Sequence, residues 1–218
     1  MAGAGQPEAA DPAGARVADH ALTHADAAVR HGAYCWVERR LFELTGTWAA
    51  APDLPDAARV LCFEASAQHA WHAELWEARL PVLAGVDPEQ LTRPVGRTAS
   101  TLLARLAPGA WEGDDETAGR RFLVGLARVV LPLLLVSYRE YGDGLAPVAD
   151  GPAIRALTLV VRDEEEELAA AQALADEVVG DPADAQLAAE WTRALGDPVL
   201  HQGREGTLFT WSEANFAG

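Results

Sequence analysis

Residues 160–170 read VVRDEEEELAA, five consecutive acids from Asp163 to Glu167 set between apolar residues. Acids that face water need no partner, but any that faces inward needs a metal, a proton or a positive charge. Helical periodicity separates the two groups. At about 100° per residue, with Leu157 at the centre of the apolar stripe, Ile154, Val161, Leu168 and Ala171 fall within roughly 60° of it. Glu164 falls about 20° from the same centre. Glu165 and Glu167 lie near opposite edges, while Asp163 and Glu166 point outward. The run is therefore a solvated face with one acid, Glu164, entering a core.

The same reading extends to both sides. Pro and Gly breaks divide the chain into four long helical segments, about 15–49, 55–80, 116–141 and 152–179. A short helix near 96–106 precedes a Gly/Asp-rich loop, and a short fifth helix near 183–195 leads to an aromatic tail, TLFTWSEANF, at 207–216. Residues 1–14 are small, polar and punctuated by Pro and Gly, and are expected to be disordered. No strand pair and no internal repeat is evident. The fold class expected is all-α: a bundle over 15–180, with 181–218 as a short helix and tail packed on it.

The second long segment places His72 near the middle of its stripe with Gln68, between Leu61, Ala65, Leu75 and Trp76, and puts His69 and Glu64 at the two edges. HAWH thus presents two imidazoles three residues apart on one face, a spacing that can offer two nitrogen ligands to one metal. On the first segment Tyr34, Val37, Leu41, Leu44 and Trp48 form the stripe, Glu38 is at its edge, and Asp26 and Arg30 form an i,i+4 pair. The third segment is mostly apolar; its inward polar groups are Ser137 and Tyr141, with Glu140 at an edge, and Pro132 is expected to kink it. Trp36, Trp71 and Trp76 can line a pocket or simply pack. His20, His24 and His31 share no tight spacing and receive no role.

Composition narrows the function classes. The net charge of −16 offers no basic face to phosphates, so neither nucleic-acid binding nor adhesion to anionic membranes is expected. Cys35 and Cys62 sit in apolar helical contexts outside any CxxC motif and read as buried thiols. The run VVLPLLLV at 129–136 is too short to span a bilayer, and no signal peptide is evident, so a cytoplasmic location is expected. There is no nucleotide-binding glycine loop and no GxSxG.

Inward carboxylates and histidines on successive helices resemble the ferritin-like superfamily of diiron-carboxylate proteins, whose pattern is Glu on one helix, Glu-x-x-His on the next, and the same again. Glu38 matches the first Glu, HAWH the second-helix motif and EEEE the fourth-helix motif. His69 stands where the bridging Glu is expected, Glu167 stands where the second His is expected, and Glu140 is the one off-centre candidate for the third helix. The resemblance implies an up-down four-helix bundle and a non-haem metal enzyme performing oxidative chemistry on a small organic molecule. It also implies that Glu38, His69, His72 and Glu164 hold iron or manganese, in a mononuclear or dinuclear centre; zinc also suits a mononuclear set. In the same reading His72, Glu164 and Glu167 act in catalysis, with Glu167 an outer ligand or proton carrier.

Two alternatives stand beside it. One is a ferritin-like core without metal, in which Glu164 pairs with His72 for acid–base chemistry or small-molecule binding. The other is a helical interaction module whose tail at 207–216 docks on a partner or on a second subunit of a homodimer.

Overall fold

A computed structural model of the chain describes residues 23–82, 87–110, 117–180, 182–201 and 208–209, and all regular structure among them is helical. The segment expected to be disordered, 1–14, and most of the aromatic tail lie outside the described residues.

Helix α1, His24–Ala49, begins at a capping box: the Thr23 hydroxyl accepts from the Asp26 N–H while the Asp26 carboxylate accepts from the Thr23 N–H. The helix expected from about residue 15 therefore starts at His24, and Asp26 serves its cap. Arg30 lies over the Tyr141 ring. Helix α2 spans Asp56–Glu77, a 3₁₀ turn spans Pro88–Gln90, and α3 spans Thr98–Arg105. Helix α4 runs Ala118–Asp143, α5 Gly151–Val178 and α6 Pro182–His201. The last of these is longer than expected and continues past Pro198.

Contacts between helices fix their directions. Along α1 and α2, Ala49 meets Arg59, Phe42 meets Ser66 and Glu38 meets His69, so the two are antiparallel. Along α4 and α5, Arg128 meets Asp176 and Arg139 meets Glu165, again antiparallel. Helix α1 is also antiparallel to α4, through Trp48–Phe122 at one end and His31–Tyr141 at the other. The up-down order thus holds within each pair but not between them: α2 and α4 run the same way, joined by the long connection that contains α3.

Helix α4 contains a π turn, Leu126–Val130, in which the Leu131 N–H reaches back to the Leu126 carbonyl. Pro132 gives the physical reason, since its ring would clash with a carbonyl one regular turn earlier and it has no N–H to donate. Instead of a sharp kink the helix widens by one residue. Phe122, Leu126, Val130, Leu134 and Tyr138, spaced by four, are all buried. In an unbroken α-helix four such steps would drift by about 160°, and the π turn takes up much of that drift. By length and composition α4 could cross a membrane, yet most of it is buried inside this protein.

The interior is aromatic on one level and aliphatic around it. Trp76 stacks on Tyr138 and on His31, while Tyr34 tilts against both Trp76 and Tyr138. Of the other candidate pocket tryptophans, Trp71 is exposed and Trp36 is half-buried. Leu208 and Phe209 join this core: the Leu208 N–H donates to Ser137 Oγ and Phe209 meets Tyr34 edge-on. These two tail residues therefore dock on their own chain. Cys35 and Cys62 are buried and free, as expected. At Gly32 the connection after α2 comes so close that an added Cβ would stand 2.0 Å from the Leu91 carbonyl oxygen.

Candidate metal centre

Four side chains on three helices converge in the middle of this core: Glu38 from α1, His69 and His72 from α2, and Glu164 from α5. One ligand atom of each lies within 4.8 Å of the others, and all four residues are 0% exposed. They are the four residues named from the sequence as ligands. Two were placed differently there. His69 and Glu38, read as edge positions, are as deeply buried as His72.

The contacts are specific. His69 Nδ1 is 2.6 Å from Glu38 Oε2 and 3.3 Å from Glu164 Oε1. His72 Nδ1 is 3.2 Å from Glu164 Oε1 and 3.7 Å from Glu38 Oε2. Both imidazoles thus point the same nitrogen at the same two carboxylates. Each also turns its other nitrogen to a further acid, His69 Nε2 to Glu167 Oε2 at 3.3 Å and His72 Nε2 to Asp163 Oδ2 at 3.4 Å.

Two sequence placements change accordingly. Glu167 is buried at 5% exposure rather than at an edge. Asp163, read as outward, reaches back to His72 with its side chain 26% exposed. Glu140 is exposed and is not among the four converging residues. Helix α4 supplies Tyr138 instead, fully buried, with its hydroxyl donating a short hydrogen bond to Glu38 Oε1. Sequence reasoning missed Tyr138. The available signal was its four-residue spacing from Leu134 and Val130, which a fixed 100° step discards.

Ionised carboxylates only accept hydrogen bonds, so His72, which has an acid within hydrogen-bond reach of each ring nitrogen, is favoured in its protonated form. Charge bears this out. Burial pulls the His69 pKa down, but Glu167, Glu164 and Glu38 together raise it well above its usual value. Burial likewise opposes the charged form of His72, and hydrogen bonds to Glu164 and Glu38 override it, raising its pKa to about 10. For Glu38 burial pushes upward, while the His69 charge and hydrogen bonds from His69 and His72 leave it below the usual carboxylate range. Glu167 goes the other way, raised by burial with His69 offsetting only part. Burial and the nearby Glu38 charge keep Tyr138 a neutral donor.

Several buried atoms have no hydrogen-bond partner: Glu164 Oε2, both Glu167 oxygens and His69 Nε2, whose approach to Glu167 is too poorly aligned to count. Orphaned acceptors in a dry core are costly and call for an explanation. A cation among Glu38, His69, His72 and Glu164 provides one for Glu164 Oε2, whereas the Glu167 oxygens lie on the other side of the His69 ring. Donors held about 2.0–2.2 Å from one tetrahedral ion stand about 3.4 Å apart; the four His–Glu distances here run from 2.6 to 3.7 Å, and all the ligand atoms lie within 4.8 Å of one another. The donor set of two imidazoles and two carboxylates suits iron, manganese or zinc. On both counts the residues fit a metal ion.

No protein-family model matches this chain, and neither a curated protein nor a solved structure does.

Proposed function

We propose that this chain is a divergent ferritin-like protein that binds one non-haem metal ion, iron or manganese, and uses it for oxidative chemistry on a small organic molecule. The observation that carries this reading is the convergence of Glu38, His69, His72 and Glu164 at 0% exposure, with an orphaned Glu164 oxygen among them. The helix directions support the fold assignment, because a pair of antiparallel hairpins joined by one long crossover is the ferritin-like arrangement. The tyrosine in place of a third-helix carboxylate favours one ion over two.

Glu38 and Glu164 would bring negative charge to the ion, and the two Nδ1 atoms would complete the set after releasing their protons. Glu167 and Asp163 lie behind the imidazoles, where a carboxylate fixes ring orientation and raises ligand basicity. Tyr138 holds Glu38 Oε1, so that Oε2 is the oxygen turned to the histidines. Bound there, such an ion would supply redox chemistry and coordination positions not taken by the protein.

A second reading keeps the same residues without metal. The His69–Glu38 and His72–Glu164 hydrogen bonds already satisfy part of the cluster and would form an acid–base pair. Elemental analysis after reconstitution with ferrous or manganous ion separates the two. One ion per chain, lost in Glu164→Ala, supports the first. No bound ion and an unchanged melting temperature would sink it, and activity abolished by His72→Ala without metal dependence would establish the second.

A further inference from the structure

We infer that the cavity between α4 and α5 is the substrate site, and that it takes a molecule with an apolar body and one carboxylate. This rests on the buried cluster being the reacting centre. The cavity is an open groove of about 520 Å³, a volume within the range of small-molecule sites. Its walls include Ile154, Leu157 and Val161 from α5, and Tyr138 from α4 also lines it. Tyr138 is the link to the cluster: it borders the cavity without exposing surface to it, and its hydroxyl donates to Glu38 on the inner side. A molecule held there is separated from Glu38 by one tyrosine.

Charge sets the ligand class. The chain carries −16 overall, yet the cavity lining holds Arg139 and Arg162 against Glu165 alone, one positive charge in excess. Arg139 is paired with Glu165 at 2.6 Å across the gap between the helices. Arg162 pairs with Glu166, which does not line the cavity, and both side chains are largely exposed. Exposed i,i+4 pairs contribute little and exchange readily. The Arg162 guanidinium is therefore available to an incoming carboxylate, whose geometry its fork matches. The apolar body of the ligand then lies along Leu157 and Val161 towards Tyr138.

Octanoate, with 1-octanol as its uncharged counterpart, tests this by isothermal titration in metal-free and reconstituted protein. Octanoate is expected to bind at least tenfold more tightly than 1-octanol. Arg162→Ala should remove that difference, while Thr158→Trp, on an exposed lining position, should weaken both ligands tenfold or more. Metal content should be unchanged in either variant. Failure of octanoate to bind, equal binding of the two ligands, or wild-type octanoate binding in Arg162→Ala would overturn the assignment. Octanoate binding by a chain that takes up no ion would uphold the cavity and remove the metal reading; ion uptake without octanoate binding would do the reverse.

Discussion

Replacing Tyr138 by Phe removes one hydroxyl from a side chain that is otherwise packed on Trp76 and Tyr34. That hydroxyl is the donor to Glu38 Oε1, and both residues are 0% exposed, so water cannot take its place. Leaving a buried acceptor unpaired costs about 1–3 kcal/mol, and more where it is charged. At about 2–4 °C per kcal/mol for a chain of this size, the metal-free protein should melt about 2–12 °C lower. Tyr34 provides the internal control. Its hydroxyl donates to the Ser137 carbonyl, a neutral acceptor, at a similar depth. Tyr34→Phe should therefore cost less than Tyr138→Phe, near the lower end of about 1–3 kcal/mol. Scanning calorimetry on the two variants and the parent decides the matter. If Tyr138→Phe melts no lower than Tyr34→Phe, Glu38 does not depend on the tyrosine and the proposed support of the site is wrong.

Three further outcomes follow from the structure. In metal-free protein the His72 pKa rises from 6.5 unfolded to about 10 folded, so its pairing stabilises fully below pH 6.5 and the contribution is lost as pH climbs through 10. No lysine is present to titrate in that window. Urea unfolding at pH 7 and pH 10 should show a fall in stability that is smaller in His72→Gln; an equal fall in both contradicts the pairing. Phe209→Ala empties a fully buried site against Tyr34 and should cost about 3–5 kcal/mol in the same assay; a loss under 1 kcal/mol would mean the tail is not docked. Gly32→Ala places a methyl on the Leu91 carbonyl, where backbone cannot yield as a side chain does, and should destabilise by about 1–3 kcal/mol. A neutral result would show that this connection is not seated on α1.

The sequence was most informative where periodicity is regular. The apolar stripe of α5 identified Glu164, and HAWH identified two imidazoles, because a 3.6-residue repeat converts residue number into direction. It was least accurate at stripe margins. His69 and Glu167 were assigned to edges, yet contacts on both flanks enclose them; a wheel drawn for one helix does not show how closely its neighbours approach. The start of α1 was legible in principle, since Thr23 and Asp26 have capping-box spacing. Tyr138 was not reached, for a different reason. One extra residue at the π turn changes every angle beyond it, and such a turn leaves no strong mark in a uniformly apolar run.

The order of the helices divides the site unequally. The first hairpin, α1 and α2, carries Glu38 with both histidines; the second, α4 and α5, carries Glu164, Glu167 and Asp163. With its imidazoles protonated, the first has a positive inner face, and the second a negative one. Neither half-chain contains a complete set of ligands. The centre is therefore also a seam, formed when two oppositely charged surfaces close on each other. Fragments cut in the connection around α3 would have complementary charge to draw them together, and any ion they then captured would report that the two halves had met.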